Sequence, residues 1–272
     1  MNDRPNEHPE RRRQKLYGRR KGPKLTAHQS GLREILLPAL TLDLKRLADP
    51  LRAFAVPVDD VWLEVGFGAG EHLLWQAQNN PNVGLIGAEP YESGVAKLLS
   101  KISSLSPTGG EGQGERVSQQ TPTLEDAPRP PHLNPLPRWG RGSNIRVHEG
   151  DAREIIAVLP DDSIGRVFLL FPDPWPKTRH HKRRFLQTDL LTDLARIMKA
   201  GAEFRFASDD TGYFEWALER LMAHPDFAWT AQSVTDWTAR PAGWPPTRYE
   251  EKALHGPPAY LRFIRRDRMS AR

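Results

Sequence analysis

Val61-Trp62-Leu63-Glu64-Val65-Gly66-Phe67-Gly68-Ala69-Gly70 is an apolar run that ends in three glycines at alternate positions. Such a run reads as a buried strand feeding a tight turn, with a helix to follow. Glycines at these positions open backbone dihedrals closed to other residues and let a ligand lie against bare main chain. The stretch predicts a cofactor site at the end of a first strand.

Charge decides which cofactor. The dinucleotide fingerprint spaces its glycines G-x-G-x-x-G and offers a pyrophosphate the positive end of a helix. Here the third glycine comes one residue early, and Glu64 sits two residues before the first, where a carboxylate repels phosphate. A ligand bearing an ammonium and a sulfonium suits that position, which points to S-adenosylmethionine. The next apolar run, Val83 to Ala88, ends in Glu89, about 19 residues past Gly70. That is the place of the acid that accepts hydrogen bonds from a ribose in doubly wound folds.

Outward from this centre the chain keeps a βαβ rhythm, which implies a parallel sheet. The pattern predicts helices over residues 71–79 and 93–103, strands over 83–88, 144–148 and 163–171, and a helix over 153–159. Apolar residues at 186, 190, 191, 194, 197 and 198 predict an amphipathic helix from Phe185 to Lys199, closed by Gly201. A fifth strand over 202–208, a helix over 213–223 and two terminal strands (228–234 and 260–264) complete the count. Leu36 to Val56, broken by Pro50, reads as a helical lead-in. The fold expected is a Rossmann-like α/β class: a mostly parallel seven-stranded sheet with helices on both faces.

Two segments fall outside that rhythm. Residues 1–24 carry nine Lys or Arg against three acids, and residues 1–30 lack apolar periodicity, so they read as a flexible basic arm before a single domain over 31–272. Residues 106–143 hold seven Pro and six Gly in 38 positions, an inserted low-complexity loop. The chain has no cysteine, which removes disulfides, thiolate nucleophiles and the covalent route to C5-methylated pyrimidines. No run approaches the roughly 18 apolar residues of a membrane helix. A soluble, cytoplasmic protein is expected, monomer or homodimer, with nucleic acid as the natural partner of its basic arm.

Acids recur at the carboxyl ends of the first four strands: Glu64, Glu89, Asp151 and Asp173. Ligands of open parallel sheets bind in the crevice beyond those ends, so one pocket would collect all four, with Asp151 facing an adenine amine. Each is also well placed as an ordinary helix cap. The most informative stretch runs from Phe171 through Pro172-Asp173-Pro174-Trp175-Pro176-Lys177 to Arg184. Its prolines fix a rigid loop around Asp173, Trp175 offers a flat face for a base, and Lys177, Arg179, Lys182, Arg183 and Arg184 offer phosphate contacts.

Taken with Gly87-Ala88-Glu89, Gly150-Asp151-Ala152, Ala207-Ser208-Asp209 and Thr247-Arg248-Tyr249-Glu250-Glu251-Lys252, these marks resemble the bacterial tRNA (guanine-N7)-methyltransferases. The likeness covers nearly everything from Leu36 to Arg266 except the insertion. It implies that Glu64, Gly66, Gly68, Glu89, Asp151 and Asp173 contact S-adenosylmethionine or line the reaction centre, with Asp173 catalytic and no metal. It implies that Lys177, Asp209, Thr247, Arg248, Tyr249 and Glu250 hold tRNA, whose guanine at position 46 in the variable loop receives the methyl group. Glu250 or Asp209 would accept hydrogen bonds from the guanine edge. Pro-Asp-Pro-Trp also looks a little like the loop of methyltransferases acting on exocyclic amines, but the order of its prolines differs.

Overall fold

A computed structural model describes residues 22–105, 144–242, 244–247, 250 and 256–267. The basic arm up to Lys21, the insertion 106–143, and Arg248 and Tyr249 lie outside the described residues.

β1 (Asp60–Val65) and β2 (Val83–Ala88) are the two apolar runs, and each is buried from its second residue onward. Strands apolar on both faces belong in the middle of a parallel sheet. β3 (Ile145–His148), β2, β1, β4 (Ile164–Leu170) and β5 (Met198–Ser208) pair in parallel; β7 (Ala259–Arg265) then runs antiparallel to β5, and β6 (Phe227–Trp229) lies outside it. The order is 3-2-1-4-5-7-6. Its reversal between β1 and β4 is where such sheets take their ligands.

Helices close both faces. On one side α1 (Ala27–Leu40), α2 (Glu71–Asn79) and α3 (Glu92–Ser104) pack Leu36, Leu73, Leu98 and Leu99 against Trp62, Leu85 and Phe168. On the other, α4 (Ala152–Val158), α5 (Thr188–Ile197) and α6 (Thr211–Ala223) set Ile155, Leu191, Leu194 and Tyr213 against Leu63, Val167, Phe204 and Phe206. A short α7 (Thr235–Thr238) sits between β6 and β7.

Several expected boundaries move. α1 starts at Ala27, inside the stretch assigned to the arm, because Thr26 and Gln29 form a reciprocal capping box that stops the two ends of that turn from competing with water. The rest of the lead-in is not one helix but two 3-10 turns, Leu44–Arg46 and Pro50–Ala53, begun at Asp43 and Asp49. α5 ends at Ile197 and the chain enters β5 at once, so Gly201 closes no helix. Gly201 lies within β5 at φ +77°, where the register with β4 shifts between the pairs Ile164–Met198 and Arg166–Glu203. That is a glycine's role in a bulge. Phe185 and Leu186 precede the helix, their N–H groups donating to the Tyr213 hydroxyl. The strand expected over 228–234 stops at Trp229, and Val234 is the N-cap of α7 instead.

Candidate functional site

The glycine turn takes the conformation that its composition allows. Gly66, Gly68 and Gly70 have φ of +71°, +58° and +76°, and Gly70 leads directly into α2 without a side-chain cap. A Cβ on Gly66 would meet nothing within 4 Å, so open space lies over the turn. Beneath it α3 comes close: a Cβ on Gly94 would stand 2.5 Å from the Gly68 carbonyl oxygen and 3.0 Å from Glu89 Cγ.

Glu89 ties β2 to this turn. Its Oε2 accepts from Gly68 N–H at 2.7 Å and its Oε1 from Tyr91 N–H at 2.9 Å. Burial pushes its carboxyl up to about 7, against the pull of those two N–H donors; the charges of Asp173 and Glu64 add to the rise. Glu64, Glu89 and Asp173 therefore share one electrostatic neighbourhood. Glu64 is buried at 2% exposure, and its Oε2 accepts from His72 Nδ1 at 2.8 Å. Asp151 is a helix cap after all: it caps α4 through Arg153 N–H at 3.1 Å, and Arg153 Nε reaches both its oxygens at 3.0 Å. The Arg153 pairing turns it toward its own helix.

The Asp173 loop is strained and anchored. Phe171 and Trp175, on either side of Asp173, have φ of +50° and +45°, which costs non-glycine residues about 1–3 kcal/mol each. Phe171 N–H donates to Ala207 O of β5 at 2.8 Å. Arg184 reaches back to Pro174 O at 2.8 Å and across to Gly212 O at 3.0 Å, with its guanidinium over the rings of Tyr213 and Trp216. At 3% exposure Arg184 is the loop's anchor, not one of its phosphate contacts. Trp175 is half-buried, with Arg183 at 4.9 Å from its ring centre and His180 against its edge, so one of its faces is already taken. Lys177, Arg179 and Lys182 are exposed on the same stretch.

The other substrate residues gather at the far strands. Asp209 follows β5, half-buried. Thr247 and Glu250 bond reciprocally, and Glu250 Oε1 also accepts from the Tyr260 hydroxyl at 2.5 Å and forms an ion pair with Arg240, whose Nε lies 3.0 Å away. Glu250 thus fastens its segment to β7. A cavity of about 540 Å³ opens beside it, lined by Arg205, Arg240, Trp244, Tyr260 and Arg262 among others; none of the expected site residues among the described residues lines it. Residues the pattern missed are His72, Gln76, Gly94 and Tyr260. The only signal for the first two was a pair of polar residues among Leu73, Leu74 and Ala77 on the buried side of α2. Among the described residues no group of three His, Asp or Glu is placed to hold a metal ion, and no helix is long and apolar enough to cross a membrane.

A 3-2-1-4-5-7-6 sheet with a glycine turn after β1 and a ribose-type acid after β2 defines a class I, S-adenosylmethionine-dependent methyltransferase. The family described as "Putative methyltransferase" matches residues 59–259. A tRNA (guanine-N(7)-)-methyltransferase of Rhodospirillum rubrum is 45% identical over 93% of this chain and 89% of its own length. Those of a Chelativorans species and of Brucella abortus are 40% and 41% identical, each over 95% of this chain and 98% of their own. The chain belongs to the tRNA (guanine-N(7)-)-methyltransferase family.

Proposed function

We propose that this protein transfers the methyl group of S-adenosylmethionine to N7 of the guanine at position 46 in the variable loop of tRNA, acting in the cytoplasm. Family membership supports the reaction, and the resemblance noted in the sequence supports the position. The observation that carries the reading is the Asp173 loop: a carboxylate held between two strained residues beside two other acids, followed by the exposed Lys177, Arg179 and Lys182.

The site fits the methyl donor on its own terms. Open space over Gly66 admits a ligand against the main chain, Glu64 offers a carboxylate to a cationic end, and Glu89 offers acceptors to a ribose. When bound, that donor supplies an electrophilic methyl group on a positively charged sulfur. Guanine N7 already carries an in-plane lone pair, so no residue has to remove a proton first. What the protein manages is charge and position. Asp173 lies where positive charge builds on the purine ring, and a preorganised carboxylate there stabilises it. The anchored loop holds that geometry ready, the largest source of rate when no acid–base step is needed. Glu250 or Asp209 accepts hydrogen bonds from the guanine edge, and Glu250 also ties the segment at Thr247 to β7 through Tyr260. Lys177, Arg179 and Lys182 contact phosphates. The test is Asp173→Asn under single-turnover conditions with saturating tRNA: a loss of about a hundredfold, within the range for one electrostatic stabiliser, is expected, and an unchanged rate refutes the role.

A further inference from the structure

One row of polar side chains runs through the buried side of α2, where packing alone calls for leucine. His72, Gln76 and Asn80 stand four residues apart and lie on one helix face. Asn80 Nδ2 donates to Gln76 Oε1 at 3.2 Å and to the Gln76 carbonyl at 2.8 Å. That fixes the amide of Gln76 with its nitrogen toward His72, whose Nε2 lies 3.0 Å away. His72 Nε2 is then an acceptor, so the ring's hydrogen sits on Nδ1 and is donated to Glu64 Oε2 at 2.8 Å. All three bonds point the same way, from the end of the helix to the carboxylate. The imidazole is 2% exposed and meets Phe168 and Trp244 edge-on, at 4.6 Å and 5.5 Å between ring centres.

We propose that Asn80, Gln76 and His72 form a relay that positions the Glu64 carboxylate for the cationic end of the methyl donor, with His72 as the positioning residue. Buried polar groups cost stability unless they are fully bonded, and a hydrogen-bonded neighbour is how a protein fixes the tautomer and orientation of a group that touches a ligand. Glu64 sits near the end of β1 with Oε2 held by His72, and among the described residues its carboxylate has no other hydrogen-bond partner. Oε1 is left to face a ligand. Swinging Glu64 out of this rotamer takes its charge away from the glycine turn without altering any residue of the turn itself.

The inference rests on the proposed docking of the methyl donor at Glu64, and the experiment separates the two. Binding of S-adenosylmethionine to the full chain is measured by calorimetry, with thermal midpoints alongside, for Glu64→Gln, His72→Leu, His72→Asn and Gln76→Leu. Losing one hydrogen bond to a charged group predicts roughly tenfold weaker binding for His72→Leu, with the rate at saturating donor within about threefold of the parent. Asparagine carries a donor close to the Nδ1 position, so His72→Asn should return the affinity to within about threefold. Both variants lose the ring contacts and should melt at similar, lowered temperatures. Gln76→Leu, one step further back, should weaken binding by about threefold to fivefold and covers the case in which His72→Leu does not fold. Affinity that follows the melting temperature in both His72 variants, or parental affinity in His72→Leu or Gln76→Leu, overturns the relay. Parental affinity in Glu64→Gln removes the donor from Glu64 altogether and overturns the reading beneath it.

Discussion

Arg184→Ala separates the structure's account of the basic loop most sharply from a purely electrostatic one. The guanidinium makes two charge-assisted hydrogen bonds, to Pro174 O and Gly212 O, and lies over two aromatic rings at 5.0 Å and 5.1 Å. Bonds from a charged donor contribute about 1.5–3 kcal/mol each and a buried cation on an aromatic face about 0.5–2. Set against the cost of burying the charge, a net loss of about 3 kcal/mol on truncation is expected. For a chain of this size that lowers the melting temperature by about 6–12 °C. Phe171 and Trp175 hold left-handed dihedrals only while the loop is tied, so Asp173 should leave its position and methyl transfer should fall at temperatures where the variant is folded. The salt dependence of tRNA binding should stay as in the parent, because a residue 3% exposed contacts no phosphate. Lys182→Ala, by contrast, should keep the melting temperature and reduce the slope of log K against log salt by about 0.7–0.9. Thermal melts and filter binding over a salt series decide it. An Arg184→Ala variant with a parental melting temperature and a reduced salt slope would refute the assignment.

Three further outcomes follow from the same geometry. Gly94→Ala should weaken donor binding by at least about tenfold, because its methyl group would press the Gly68 carbonyl from 2.5 Å and a backbone atom cannot step aside cheaply; unchanged calorimetry would contradict this. Glu89 has a folded-state carboxyl at about 7, above its ordinary 4.5, so the folded protein binds more protons than the unfolded one between those values. Its contribution to stability is present in full below about 4.5 and is lost as pH rises through about 7, so the melting temperature of the parent relative to Glu89→Gln should fall across that window. Donor affinity should rise over the same interval as the ionised carboxylate becomes available to a ribose, and Glu89→Gln should flatten that rise. Tyr260→Phe removes the donor that holds Glu250, and should raise KM for tRNA several-fold with donor affinity unchanged; equal effects on both substrates would refute the division of labour.

The centre of the fold was legible because its signals are local. Apolar runs at 83–88 and the glycines after Val65 each act within a few residues, and α2 and β2 have the bounds read from them. The end of α5 was not, since Ile197 and Met198 are both buried but on different elements, one helical and one extended, and periodicity cannot see the change. Arg184 and Arg179 look alike in the chain. What separates them is Tyr213 and Trp216, roughly thirty residues further on, which only the packing of α6 brings beneath Arg184. The tie between Glu250 and the sheet was hidden for the same reason, as its partner Tyr260 comes from a strand that inserts between β5 and β6. The acids at the carboxyl ends of β1, β2 and β4 were singled out by their place at strand ends, whereas the His72 relay that holds one of them is visible only once α2 has a buried side.

The central claim is that fixed negative charge on a parallel sheet sets a methyl-bearing cation beside an unprotonated purine nitrogen of tRNA. Its most direct test is incubation of the protein with labelled S-adenosylmethionine and unmodified tRNA, then borohydride and aniline, which cut the chain at N7-methylated guanine. Scission at one guanine of the variable loop, absent without enzyme and strongly reduced with Asp173→Asn, is the predicted result. Label incorporated with no aniline-sensitive guanine, or scission undiminished by Asp173→Asn, would contradict it.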